Sequence, residues 1–163
     1  MPAPFSTADL SDAAGARGQS CVTQFRQFGG RRTFAGRIRT VHCPDDNALV
    51  RRALETPSAG DVLVVDGGGL LGAALLGDQL AALGLKNGWA GVVIYGAVRD
   101  TVTLGQMDFG VKALGTNPRR AEKRGLGELD VTVTFGGASF TPGHWLYSDE
   151  DGLLVAAEPL API

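Results

Sequence analysis

Several things are scarce in this sequence. Cysteine occurs twice in 163 residues, at Cys21 and Cys43. One disulfide between them is conceivable, but there is no disulfide framework and no C-x-x-C pair. Two such thiols read more naturally as small buried hydrophobes in a reducing cytosol. Long apolar runs are missing too. The longest, "LLGAALLG" (70–77), stops at Asp78, while a bilayer span takes about 20 residues. The opening "MPAPFSTADLSD" has neither a basic start nor an apolar stretch, so a cytoplasmic chain without membrane insertion is expected. Positive charge is not in excess: 15 basic residues face 17 acidic ones, for a net charge of −2. Direct nucleic-acid binding, which needs a strongly basic face, is therefore not expected. His42 and His144 lack metal-ligand spacing. No repeat or linker is evident, which makes residues 1–163 one expected domain.

What is present fits a folded core: 44% hydrophobic residues, 20% charged residues and 24 glycines. Residues 6–18 suggest a short helix. In 32–43, Phe34, Ile38 and Thr40 fall on one side and Arg37 and Arg39 on the other, as in a half-exposed strand. Residues 44–55 read as a helix capped by Asp46 or Asn47, with Leu49, Val50 and Leu54 on its apolar side. "DVLVVD" (61–66) is a short buried strand, followed by a glycine-rich loop. Leu76, Leu80 and Leu83 mark a helix closing at "KNG" (86–88), and "GVVIYG" (91–96) is the next strand. This order suggests a parallel unit with a right-handed crossover. Further on, short strands are expected at 111–115, 131–135, 144–148 and 153–157, separated by "GTNPRR", "GGASFTPG" and "DEDG". The fold class is mixed α+β with a β-rich second half.

Gly67, Gly69 and Gly72 match G-x-G-x-x-G after a strand, the pattern of a dinucleotide loop. The same stretch is loosely like the first motif of methyltransferases that use S-adenosylmethionine. Both need an acid at the end of the next strand to hold ribose hydroxyls. That strand ends instead in Tyr95-Gly96, which weighs against a nucleotide.

A second pattern is D-x20-R-D: Asp78, Arg99 and Asp100. One helix and one strand fill the interval, so its two ends can meet at the sheet edge where open α/β units bind ligands. Arg99 has a fixed cationic fork suited to a carboxylate. Asp100 is a hard oxygen ligand suited to Mg²⁺ or Mn²⁺. If the helix begins near Gly77, the N–H groups of Asp78, Gln79 and Leu80 are unpaired and can hold an anion. Asp78 could then move a proton, and the set would suit a small 2-oxo acid. Plainer readings stand beside these. Arg99-Asp100 is also readable as a surface ion pair, and Asp78 as an N-cap. "TNPRRAEKR" (116–124) reads as a solvated loop, or else as a partner-binding patch.

The sequence resembles the regulator of ribonuclease activity A (RraA) proteins and the related class II 4-hydroxy-4-methyl-2-oxoglutarate aldolases. The resemblance is carried by "TADLSDA" (7–13), "PSAGDVLVVDGGG" (57–69), "ALLGDQLA" (74–81), "NGWAGVVIYGAVRD" (87–100), "VTFGGASFTPG" (133–143) and "SDEDGLLV" (148–155). It implies a β/β/α swivelling-domain fold and a homotrimer with sites between subunits. It also implies a divalent metal on Asp100, Arg99 on the substrate, and a pyruvate-binding loop formed by Gly77, Asp78, Gln79 and Leu80. The implied reaction is aldol cleavage to pyruvate, with oxaloacetate decarboxylation as a side activity. The other branch of the family implies regulation of an endoribonuclease of the ribonuclease E type. Some members were once labelled demethylmenaquinone methyltransferases. The aldolases commonly carry a C-terminal extension bearing an acidic residue, which this sequence does not show up to Ile163.

Overall fold

A computed structural model of the chain describes residues 4–160, so the outermost three residues at each end fall outside it. Helix α1 (Thr7–Ala14) starts where the Ser6 side chain accepts the Asp9 N–H at 3.1 Å. Two short strands follow, β1 (Gln19–Ser20) and β2 (Arg26–Gln27). Next come β3 (Phe34–His42), α2 (Ala48–Leu54), β4 (Val62–Asp66), β5 (Ala74–Leu76), α3 (Asp78–Lys86) and β6 (Gly91–Val98). The rest is α4 (Thr101–Leu104), β7 (Gly110–Thr116), β8 (Glu128–Leu129), β9 (Val133–Phe135), β10 (Ala138–Phe140), β11 (Trp145–Asp149) and β12 (Gly152–Ala156). Among the described residues no helix is long and apolar enough to cross a membrane.

The main sheet runs β1-β12-β11-β3-β4-β6-β7-β2. Its centre, β3 through β7, is parallel, and its flanks are antiparallel. The fold is therefore mixed α+β, as expected. Strand alternation explains how it packs. In β4, Leu63 and Val65 face a core shared with α2, α3 and α4, whereas Val62 and Val64 face a second core shared with β9 to β12. Both faces being covered, the central strands read as continuous apolar runs. Val92, Val93 and Ile94 of β6 are fully buried, and each such side chain contributes about 1.5–3 kcal/mol.

The sheet curls strongly. Phe34 of β3 packs on Gly110 of β7, with β4 and β6 lying between the two strands in the sheet, where no side chain would fit. Lys112 of β7 reaches the β11–β12 turn and donates to the carbonyls of Asp149 and, at 3.3 Å, Gly152.

Some expectations need correcting. Leu76 fits a helical pattern but belongs to β5, which pairs in parallel with the end of β6. Three residues are too few to show a strand period, so the helical spacing dominated. The stretch 136–143 is not only a separator: Gly136 and Gly137, both at positive φ, turn β9 into β10. The strand expected at 131–135 is formed only from Val133. The strand at 32–43 is less exposed than its alternation suggests, because Val41 lies under the helices and Ala35 against Tyr147. The short α4, β1, β2 and β8 carry no periodic signal.

Candidate active site

The parallel strands deliver their ends to one edge, and β6 ends there in an unusual way. The Arg99 N–H donates to Leu76 O at 3.0 Å, continuing the pairing with β5. Asp100 then adopts φ 60°, ψ 40°, a left-handed conformation that aspartate tolerates better than most residues. Neighbours on a strand point to opposite faces. The left-handed step ends the strand, and both Arg99 and Asp100 line a single cleft of about 410 Å³. Neither takes part in any ion pair among the described residues. Arg99 instead donates through Nη1 to Pro118 O at 3.3 Å. The surface-pair reading of Arg99-Asp100 is therefore not what the fold builds.

Gly77 and the first turn of α3 form the facing wall. A Cβ at Gly77 would lie 2.5 Å from Asp100 Oδ2 and 3.3 Å from Arg99 Cγ. A side chain there would push the Asp100 carboxylate out of its present place. Gly77 is the N-cap, and the first intrahelical bond runs from the Ala81 N–H to Gly77 O at 3.1 Å. The Asp78 N–H is not unpaired, as the sequence suggested: it donates to Asp100 Oδ2 at 3.1 Å. The Asp100 carboxylate is the nearest strong acceptor and takes the outermost amide. The N–H groups of Gln79 and Leu80 still have no carbonyl within the helix. Asp78 is half-buried and Gln79 exposed, and both line the cleft. All six expected site residues (Gly77, Asp78, Gln79, Leu80, Arg99 and Asp100) thus converge.

The sequence did not single out the remaining wall. Asn47, Arg51, Arg120 and Lys123 also line the cleft. Asn47 is buried; its Nδ2 donates to Leu75 O at 3.2 Å, while its Oδ1 takes no hydrogen bond among the described residues. The 116–124 segment is not simply a solvated loop. Ala74 N–H donates to Arg119 O, Ala121 N–H returns to Ala74 O, and Ala121 is buried in the core. Four cationic side chains, Arg51, Arg99, Arg120 and Lys123, consequently share the cleft with Asp78 and Asp100.

The glycine loop has a different explanation. It runs into β5, not into a helix. The N–H groups of Gly67 and Gly69 both donate to Tyr95 O, at 3.0 and 3.1 Å. A side chain at Gly67 would strike Leu75 and the Tyr95 carbonyl. Close packing accounts for Gly67 and a positive φ of +73° for Gly69, while Gly72 faces open space; no helix N-terminus stands behind the loop for a pyrophosphate. Cys21 and Cys43 are both free. Burial is the main reason the Cys43 thiol is pushed up to about 12, so it is inert near neutral pH. Neither histidine lines the cleft.

A family model described as RraA-like, Aldolase/RraA, matches residues 7–155. A protein of Aromatoleum aromaticum, provisionally named 4-hydroxy-4-methyl-2-oxoglutarate aldolase, is 54% identical over 156 residues, covering 96% of this chain and 98% of the relative. The structure of an RNA-processing inhibitor RraA from Thermus thermophilus superposes with a TM-score of 0.93 at 48% identity, over 96% of this chain and 95% of that one. A Geobacillus kaustophilus structure named as an S-adenosylmethionine:2-dimethylmenaquinone methyltransferase gives a TM-score of 0.94 at 47% identity, over 96% and 97%.

Proposed function

The chain belongs to the RraA-like, Aldolase/RraA family, and from that premise we propose that it is a divalent-metal-dependent lyase releasing pyruvate from 2-oxo acids. The reaction is aldol cleavage of 4-hydroxy-4-methyl-2-oxoglutarate, with oxaloacetate decarboxylation as a side activity. The observation that carries this reading is the meeting of Arg99, Asp100 and the first turn of α3 in one cleft. Arg99 pairs with the carboxylate of the pyruvyl unit, and the N–H groups of Gln79 and Leu80 donate to its oxygens. The bond that breaks leaves its electron pair on the pyruvyl fragment, whose C2 oxygen becomes negative. A proton must leave the C4 hydroxyl and another must reach C3. Asp78, half-buried on the same turn, is the carboxylate placed to move one. Arg51, Arg120 and Lys123 hold positive charge where a second substrate carboxylate would lie.

The donor set can be tested against a metal. Among the described residues, no group of three or more His, Cys, Asp or Glu forms a cage. Asp100 offers one carboxylate, already oriented by the Asp78 N–H. That suits Mg²⁺ or Mn²⁺, which keep several waters and take one or two protein carboxylates alongside substrate oxygens. It does not suit a closed zinc site. Asp100 would hold the ion, which supplies positive charge to the oxygen that becomes negative.

The reading includes a cytoplasmic homotrimer. Exposed Leu70, Leu71 and Val102 are the kind of apolar side chains that a subunit contact covers. A second reading, a protein-binding regulator of an endoribonuclease of the ribonuclease E type, is favoured by the 48% identity to the Thermus RNA-processing inhibitor. It needs surface patches and no chemistry, so binding of the endoribonuclease should be indifferent to Asp100→Ala. Methyl transfer from S-adenosylmethionine finds no support in the glycine loop, and calorimetry with that compound should give no heat.

The deciding assay is pyruvate release from both substrates with Mg²⁺ or Mn²⁺. Turnover should need the metal, and Arg99→Ala should lower kcat/KM by about a hundredfold. Unchanged turnover in that variant would overturn the assignment.

A further inference from the structure

Asp46 has no part in the chemistry above, yet it is fully buried and joins no ion pair among the described residues. A carboxylate buried without a cation is strongly disfavoured unless N–H groups surround it. Here they do. Oδ1 accepts the N–H groups of Ala48 at 3.1 Å and Gly125 at 3.2 Å, and Oδ2 accepts that of Arg124 at 2.6 Å. Burial opposes the charge, but the N–H groups of Arg124, Ala48, Gly125 and Leu126 outweigh it and hold the carboxyl below its ordinary value.

The donors come from two places. Ala48 opens α2, while Arg124 and Gly125 lie in the segment between β7 and β8, Arg124 being 78 residues beyond Asp46 in the chain. The carboxylate therefore ties that segment to the helix. Backbone bonds add to the tie: Asn47 N–H to Glu122 O at 2.9 Å, Ala121 N–H to Ala74 O at 3.1 Å, and Ala74 N–H to Arg119 O at 2.7 Å. Arg120 sits between the anchors at Arg119 and Ala121. Lys123 sits between those at Glu122 and Arg124. These two unanchored positions are the ones whose side chains line the cleft.

We infer that Asp46 is a positioning residue, a buried latch that holds Lys123, and with it Arg120, at the cleft so that a substrate with a second carboxylate is preferred. It touches no substrate itself. The inference rests on the reading of the cleft as the seat of a 2-oxo acid, and its test is arranged to fail separately from that reading.

Native protein, Asp46→Asn, Lys123→Ala and the double variant are compared in two ways. Amide hydrogen exchange needs no substrate. In Asp46→Asn it should quicken by about tenfold or more over residues 119–126 and stay unchanged over β6. With oxaloacetate and Mg²⁺, Asp46→Asn should raise KM by about fivefold while kcat stays within about twofold. Lys123→Ala should raise KM in the native background and add little to Asp46→Asn, because the latch and the cation act as one unit. Gly125→Ala, strained at φ +83°, loosens the latch from the loop side with Asp46 intact. It should reproduce both the local exchange and the KM shift. Unchanged exchange over 119–126, exchange raised across β6 as well, or a full additive effect of Lys123→Ala in both backgrounds would each overturn the latch. If native protein does not turn over oxaloacetate, the lyase reading falls, and the exchange data still decide the latch.

Discussion

At the β11–β12 turn, Asp149 accepts the Thr7 N–H at 2.7 Å, the Thr7 hydroxyl at 2.6 Å and the Asp151 N–H at 3.0 Å. Beside it, Lys112 gives its ammonium to two backbone carbonyls. At the end of β6, Arg99 and Asp100 each have one side-chain hydrogen bond among the described residues and otherwise face a cleft. Both clusters hold an acid and a base. In the first, hydrogen-bonding capacity is spent inside the fold, and its members are 3% and 9% exposed. In the second, capacity is left over and directed at open space. A buried polar group with all its partners fixes structure. A half-exposed one with spare capacity is available to a ligand.

That contrast can be broken from either side. The largest effect should come from Asp149→Ala, which strands the Thr7 donors and removes the negative charge near Lys112. It should lower unfolding free energy by about 2–4 kcal/mol, the cost of leaving buried donors unpaired, measured in denaturant, with kcat of the remaining folded protein unchanged. Next is Gly77→Ala, which drives a methyl into the Asp100 carboxylate. Misplacing a site group by about 1 Å costs on the order of a hundredfold in rate, so pyruvate release should fall by that much while stability barely moves.

A graded effect follows from pH. Asp149 and Asp46 are both held below the ordinary aspartate value of 3.8, because N–H donors, and for Asp149 the Thr7 hydroxyl as well, outweigh burial. Their folded values are lower than their unfolded ones. The stability they contribute is therefore complete above about 3.8 and is lost as pH falls through the lowered values. Denaturant midpoints should drop in that acid window, and less steeply in Asp46→Asn. The smallest effect should be that of Gln79→Ala. The proposed role of Gln79 uses its backbone N–H, so turnover should change by no more than about twofold.

The two clusters also differ in how readable they were. The D-x20-R-D spacing could be interpreted because regular elements fill it. A strand period and a helix length are enough to bring Asp78, Arg99 and Asp100 to one edge. What no spacing reveals is the left-handed step at Asp100, since aspartate is common and only the backbone marks the turn. The charged loop was harder still. Its path is set by bonds to Ala74 and Asp46, distant in the chain, and without them "TNPRRAEKR" has the composition of a solvated segment. The Lys112–Asp149 pair was missed for a similar reason. A lysine in "VKALG" reads as a strand's outward face until the curl of the sheet brings the β11–β12 turn over it. In β5, three residues carried too little pattern to compete with the helical spacing of Leu76, Leu80 and Leu83.

The most direct test of the account is the rate of pyruvate release from oxaloacetate by Asp100→Asn at saturating Mg²⁺, with the unfolding midpoint measured on the same sample. The account predicts a loss of about a hundredfold or more and a midpoint matching that of the native protein. Turnover equal to the native rate, or a loss of activity that only follows unfolding, would contradict it.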